Sequence, residues 1–337
     1  RGVVGCISSL QHPISNFQLP TSNVQLLTML REFLLYLSHS KALRAIVTHF
    51  PVARTVSARF VAGEKIEDAI RVMRELYAKK MTTTMDHLGE NVSTAAEAAR
   101  AADDYLRLLD EIAAANLPSH VSLKLTQFGL DLGEEVALSN LRRVLEKAKA
   151  MKTFVRVDME DTSYTDRTLQ IVYAVKDLGY DNLGTVIQSY LYRSEEDVRS
   201  LCNAGIRIRL CKGAYQEPAD KAFPLKKDVD ANYVKLAQIM LDAAAVNPDL
   251  YPAFATHDKN MITPIKEYAA QKNIQRSSFE FQMLHGIRSE LQYALAAEGY
   301  NFRVYVPYGT EWYPYFMRRL AERPANLWFF VSNFFRR

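Results

Sequence analysis

From Thr82 onward the chain alternates eight times between a short run of β-branched and apolar residues and a longer run with helical spacing. The strand-like runs are 82–86, 121–125, 154–158, 185–189, 206–211, 253–256, 279–283 and 303–306. The helical runs are 94–115, 134–149, 164–178, 195–203, 229–245, 260–271, 288–297 and 312–322. Alternating units of this kind build a parallel sheet, and eight of them predict a closed (βα)8 barrel of the TIM type, an α/β fold. The competing arrangement is an open, doubly wound sheet. Such a sheet, when it binds a dinucleotide, usually carries G-x-G-x-x-G after its first strand. No two glycines here are separated by a single residue, so the barrel is the better account.

Ahead of the alternation, Gly2, Gly5, Pro13 and Pro20 break up the first 20 residues into a loose arm. Ser22 offers a cap for a helical stretch, a second pattern spans 40–60 with a break near Pro51, and a third spans 64–80. The expected division is an N-terminal arm with helices over 1–62 and the barrel over 63–337. With 48% hydrophobic residues in 337, the chain can bury a large core. Its net charge of +4 comes from 42 basic and 38 acidic residues scattered along it, with no basic arm for nucleic acid. Cys6, Cys202 and Cys211 form no C-x-x-C pair, which suits a reducing compartment without disulfides or zinc. No apolar run approaches the about 20 residues of a spanning helix, and no secretory pattern opens the chain. A cytoplasmic location is expected.

Barrel enzymes gather their chemistry at the C-terminal ends of the strands. Those ends carry Asp86, Lys124, Asp158, Gln188, Arg209 with Lys212, Thr256 with His257, Gln282 and Tyr305. Any one of them could be a buried, hydrogen-bonded residue; that account fits all eight ends together poorly. In the last unit Tyr315, Arg318, Arg319 and Glu322 are spaced i, i+3, i+4 and i+7, on one helical face. Adjacent guanidiniums there can clamp a carboxylate, with Glu322 steadying one of them. A solvated ion-pair face would serve as well for the charges alone. It rarely carries as many aromatics as Tyr305, Tyr308, Trp312, Tyr313 and Tyr315. Gly213, in Lys212-Gly213-Ala214-Tyr215, either lets backbone approach a flat cofactor or phosphate or simply makes a tight turn. No His and carboxylate group has metal spacing, so no metal is expected.

Several of these segments resemble those of the proline dehydrogenase family. Ile208–Tyr215 reads I-R-L-C-K-G-A-Y against the family's R-L-V-K-G-A-Y, and Ala255-Thr256-His257-Asp258 resembles its A-T-H-[ND] strand end. Phe279–Gly286 reads F-E-F-Q-M-L-H-G, and Tyr305-Val306-Pro307-Tyr308-Gly309 with Tyr315, Arg318, Arg319 and Glu322 resembles Y-x-P-x-G…Y-x-x-R-R-x-x-E. Ser122–Thr126 and Val157–Glu160 match the second and third strand ends. The likeness runs from about Ala58 to about Arg323 and is strongest to the monofunctional bacterial enzymes, which are related to the proline dehydrogenase domain of proline utilization A. Cys211 departs from the usual Val, and Asp258 stands where some members have Asn.

The resemblance implies FAD-dependent oxidation of L-proline to Δ1-pyrroline-5-carboxylate, by hydride transfer from the ring carbon next to nitrogen to flavin N5. It is the first step of proline catabolism to glutamate. It implies Asp158 and Arg209 as catalytic groups, Asp158 ordering the site with Lys124 and Arg209 stabilising the reduced flavin. Lys124, Arg318 and Arg319 would bind the substrate carboxylate, and Tyr305, Tyr315, Leu284 and Ala214 would wall the ring, with Glu322 in support. Met159, Gln188, Arg209, Lys212, Gly213, Ala214, Thr256 and His257 would hold the flavin. The implied electron acceptor is a quinone, and a separate pyrroline-5-carboxylate dehydrogenase would consume the product. The aromatic run 327–337, ending in two arginines, suits packing on the outer helices better than peripheral contact with the inner face of a membrane. Two other readings stay open on the residues alone: a lyase or isomerase with Lys124 as Schiff-base residue, and a binding barrel without turnover.

Overall fold

Eight parallel strands pair in chain order in the computed structural model, which describes residues 57–89 and 92–322, the last three by backbone alone. They are β1 (Thr82–His87), β2 (Ser119–Leu123), β3 (Val155–Val157), β4 (Leu183–Gln188), β5 (Arg207–Cys211), β6 (Ala253–Ala255), β7 (Glu280–Leu284) and β8 (Asn301–Tyr308). Pairing of β1 with β8, from Thr82↔Arg303 to His87↔Tyr308, closes the barrel. The expected (βα)8 fold is the one observed. The crossover helices are α2 (Ala95–Ala114), α3 (Glu134–Ala150), α4 (Thr165–Asp177), α5 (Ser194–Asn203), α6 (Lys226–Val246), α7 (Lys259–Gln271) and α8 (Ser289–Ala297). The helix α1 (Ile66–Tyr77) packs on both β1 and β8 and so fills the ring position over the closing seam. Its buried Ala69, Ile70, Val72, Met73 and Leu76 explain why. No helix among the described residues is long and apolar enough to cross a membrane.

Side chains alternate across each strand, and the two faces differ in kind. Met85, Val121, Leu123, Val155, Val157, Ile208, Leu210, Phe281, Val304 and Val306 face the helices and belong to one apolar core. Their neighbours face the barrel axis and are polar. Arg209 on β5 reaches Ser122 Oγ on β2 at 2.8 Å, and the Tyr305 hydroxyl on β8 lies 3.0 Å from Asp158 Oδ2, just past β3, so both contacts cross the interior. Lower in the barrel, Arg303 Nε donates to Glu280 Oε1 at 2.9 Å and its Nη1 to the carbonyl of Thr83 at 2.8 Å. Burial alone would raise the Glu280 pKa, but Arg303 beside it holds the carboxyl below its usual range.

Local signals set the entries to these elements. Thr94 caps α2, accepting from the Glu97 N–H at 3.2 Å, while Glu97 accepts from the Thr94 N–H at 3.1 Å. Asp258 caps α7 in the same manner, accepting from the Asn260 N–H at 3.0 Å. Strand bounds differ modestly from the sequence expectation. β2 ends at Leu123 because the ladder stops there: Asp158 N–H donates to the Leu123 carbonyl at 2.8 Å, and the chain then turns, with Phe128 N–H on the Leu125 carbonyl. β8 runs to Tyr308, beyond its apolar stretch, because β1 pairs with it over its whole length.

The chain divides into two compact units, residues 50–312 and residues 1–49 with 313–337. The helix α9 (Trp312–Glu322) belongs to the second from Tyr313 on. The helical patterns expected over 22–56 and the aromatic run 327–337 lie outside the described residues.

Candidate active site

At the C-terminal mouth the strand ends deliver one connected polar network. Lys124 Nζ lies 3.2 Å from Asp86 Oδ2, with 11% and 1% of the two side chains exposed. Tyr305 donates to the same Asp86 oxygen at 2.7 Å. Asp158 Oδ1 accepts from Arg209 Nη1 at 2.7 Å, in a pair almost as buried. The guanidinium carbon of Arg209 stands 5.3 Å from the centre of the Tyr305 ring. Burial, followed by the charges of Asp158 and Asp86, pushes the Tyr305 phenol well above its ordinary pKa, so it is a proton donor at any working pH. Four predicted residues, Lys124, Asp158, Arg209 and Tyr305, are thus brought together, with Asp86 as the hub.

One participant comes from a helix and has no strand-end signal. Tyr105 on α2 is fully buried and its hydroxyl reaches the Ser122 carbonyl at 2.8 Å and Asp86 Oδ1 at 3.2 Å. Ser122 and Thr84, whose hydroxyls lie 3.0 Å apart, also belong to the network. Ser122 had a legible signal, since polar residues at every second strand position mark an inward face. His-Val-Ser-Leu-Lys over 120–124 and Arg-Val-Asp over 156–158 both show it.

A second group of predicted residues surrounds the ends of β4 to β7. Gln188 donates through Nε2 to the Glu160 carbonyl at 3.1 Å, while its buried Oε1 has no hydrogen-bond partner among the described residues. Arg209 Nε is in the same state. Lys212 Nζ bridges Asp258 at 2.8 Å and Asp230 at 2.5 Å, so the loop after β5 is tied to the cap of α7. Burial alone would raise the Asp258 pKa; the hydrogen bonds from Lys212 and the Asn260 N–H, with the charges of Lys212 and Lys226, together outweigh it, and the carboxyl stays below its usual range. His257 Nε2 accepts from the Leu284 N–H at 3.0 Å, which fixes both residues at the rim. Thr256 is buried and Met159 belongs to the apolar core, whereas Ala214 is exposed. Gly213 has φ +110°, and a Cβ there would meet the Tyr190 ring at 2.5 Å. Burial pushes the neighbouring Cys211 thiol up to about 12, leaving it protonated.

Tyr315, Arg318 and Arg319 lie on α9, where the Arg319 guanidinium carbon is 5.2 Å from the Tyr315 ring centre. The Glu322 side chain lies outside the described residues. Among the described residues no His, Cys, Asp and Glu cluster could hold a metal ion.

The unpartnered Gln188 Oε1 and Arg209 Nε, both buried at the mouth, suit the edge of a flat heteroaromatic ring with hydrogen-bonding groups. Gly213 lets the loop after β5 pass directly against the Tyr190 ring, where no side chain would fit. A flavin is such a ring, and the residues present fit it.

A family model for proline dehydrogenase matches residues 69–331. Proline dehydrogenase 1 of Bacillus subtilis is 44% identical over 305 residues, covering 90% of this chain and 99% of that protein. The proline dehydrogenase of Deinococcus radiodurans is 44% identical over 282 residues, covering 82% of this chain and 89% of that one. Among solved structures, proline utilization A from Bdellovibrio bacteriovorus, inactivated by N-propargylglycine, superposes with a TM-score of 0.75 at 27% identity. The superposition spans 80% of this chain and 33% of that one. The chain belongs to the proline dehydrogenase family, flavin-dependent enzymes that oxidise proline to Δ1-pyrroline-5-carboxylate.

Proposed function

We propose that the barrel mouth holds FAD against the ends of β4 to β6 and proline beside the Asp86, Lys124, Asp158, Arg209 and Tyr305 network. The observation that carries this reading is the network itself: two buried ion pairs joined by one phenol, next to unpartnered buried groups on Gln188 and Arg209.

The bound flavin supplies the acceptor for the hydride that leaves the proline ring. Everything else is work for the protein. Lys124 offers its ammonium to the substrate carboxylate, and Arg318 and Arg319 are assigned the same anion on their sequence signature. Holding that end aims the reacting carbon, and orientation of this kind contributes heavily to rate. The Tyr305 ring and Leu284 exclude water and limit ring substituents, with Tyr315, Glu322 and Ala214 assigned to the same wall. Arg209 keeps a fixed positive charge where electrons arrive, and Asp158 holds that guanidinium in place. Gln188 meets the ring edge. Lys212, Gly213, Thr256, His257 and Met159 line the remainder of the cofactor's path. In this reading residues 63–337 supply the whole site and 1–62 an arm. Electrons then pass to a quinone, and a separate pyrroline-5-carboxylate dehydrogenase takes the product.

The test is anaerobic addition of L-proline to the purified protein. Visible flavin absorption that bleaches supports the reading; flavin bands that persist reject proline as reductant, and a protein that takes up no flavin rejects the cofactor. Gly213→Ala should weaken FAD binding by about 1–3 kcal/mol, because the added Cβ drives into the Tyr190 ring from a left-handed backbone. Flavin retention on dilution measures it, and unchanged retention removes Gly213 from the cofactor's path.

A further inference from the structure

The opposite, N-terminal mouth of the barrel contains a cavity of about 550 Å³ that the oxidation does not use. Its lining includes Lys149, Lys152, Arg207 and Arg303, with a single carboxylate, Asp181, that is already paired with Lys176 at 2.5 Å. Arg303 is neutralised by Glu280. Arg207, Lys149 and Lys152 have no carboxylate within salt-bridge distance among the described residues. Arg207 donates through Nε to the Asp249 carbonyl at 2.7 Å, and Lys149 to the Gly179 carbonyl at 3.3 Å. The Phe154 ring, 5.3 Å from the Arg207 guanidinium carbon, holds that group by stacking. Behind it the fully buried Arg156 adds a further cation, donating to the Arg207 carbonyl at 2.9 Å.

Two buried atoms of the lining lack partners among the described residues: Nδ1 of His120, a residue 6% exposed, and Oδ1 of Asn182. A polar atom buried without a partner costs about 1–3 kcal/mol, so water or a ligand group is expected at each. Three uncompensated cations call for more negative charge than one carboxylate carries. The Asn182 oxygen needs a donor, which a phosphate dianion lacks and a hydroxyl supplies. The volume exceeds that of a lone oxyanion and falls in the range of small-molecule sites.

We propose that this cavity binds a small phosphomonoester bearing hydroxyl groups, the class of the sugar phosphates. Arg207, Lys149 and Lys152 take the phosphate, and Asn182 and His120 take hydroxyls deeper in. These residues lie in strands, loops and the last turn of α3 at the barrel end away from the site of oxidation, so occupation leaves proline free to bind.

Calorimetric titration of the flavin-loaded full chain with ribose 5-phosphate tests it. Saturable binding is expected. Lys152→Asn should weaken binding about fivefold to tenfold, as the loss of one partly screened charge does. Lys152 is exposed, and Asn tolerates its left-handed φ of 53°. Arg207→Gln should weaken it at least as much. Inorganic phosphate should compete, and ribose should not. Absence of saturable binding below about 10 mM, binding by both variants as tight as that of the unaltered protein, or competition by ribose alone would overturn the proposal.

Discussion

Arg209→Met should lower kcat for proline oxidation by about 10²–10³-fold, with KM changed far less. Removal of one preorganised electrostatic group at a reacting centre has effects of this size. Arg209 is suited to such a role because its charge is fixed and cannot reorganise: Asp158 holds one terminal nitrogen at 2.7 Å, Ser122 the other at 2.8 Å, and the Tyr305 ring lies alongside. The change also strips Asp158 of its cation, so Arg209→Lys is the necessary companion. It retains the charge but not the two-nitrogen grip, and should fall between wild type and methionine. Rapid mixing of oxidised enzyme with saturating proline measures the reductive step directly. If Arg209→Met reduces its flavin at the wild-type rate, the residue only supports Asp158.

Lys124→Met should act on stability and on binding at once, and a second substitution separates them. Asp86 is 1% exposed and takes its only cation from Lys124 among the described residues. Breaking a buried pair by removing one partner costs about 3–5 kcal/mol, since it leaves an unmatched charge. The donors that remain on Asp86, Tyr305 at 2.7 Å and Tyr105 at 3.2 Å, soften the loss without matching the charge. Asp86→Asn combined with Lys124→Met should restore most of the stability. It should not restore proline binding: KM should stay raised by about 10–100-fold, the value of a hydrogen bond to a charged group. Denaturant titration and steady-state kinetics on the three variants decide the matter. A double variant with normal KM would assign Lys124 to structure alone.

The two experiments bear on different halves of the same network. Tyr305 joins them, donating to Asp86 and lying 3.0 Å from Asp158. Loss of either ion pair therefore reorients the phenol, and the effects of Arg209→Met and Lys124→Met should not add.

Element order was legible because period-two and period-3.6 patterns are properties of consecutive residues. The same local logic marked Asp86, Lys124, Asp158, Arg209 and Tyr305 as strand-end groups. The polar interior has a local signature as well, in Arg207 and Arg209, and Glu280 and Gln282, at alternate positions. Adjacency between distant segments was not legible. Tyr105 sits on a helix pattern that predicts only a core aromatic, and its bond to Asp86 depends on how α2 packs over the first two strands. Arg303 meets Thr83 across 220 positions because β8 closes on β1. Arg207, Lys149, Lys152 and His120 scatter through the chain as ordinary solvated or core residues, and only closure gathers them at one mouth. Sequence by itself determined which residues face the axis and in what order the strands arise, because backbone geometry dictates both locally. Tertiary structure decided which charges meet and which stay unmatched, because that depends on register and shear around a closed ring of strands.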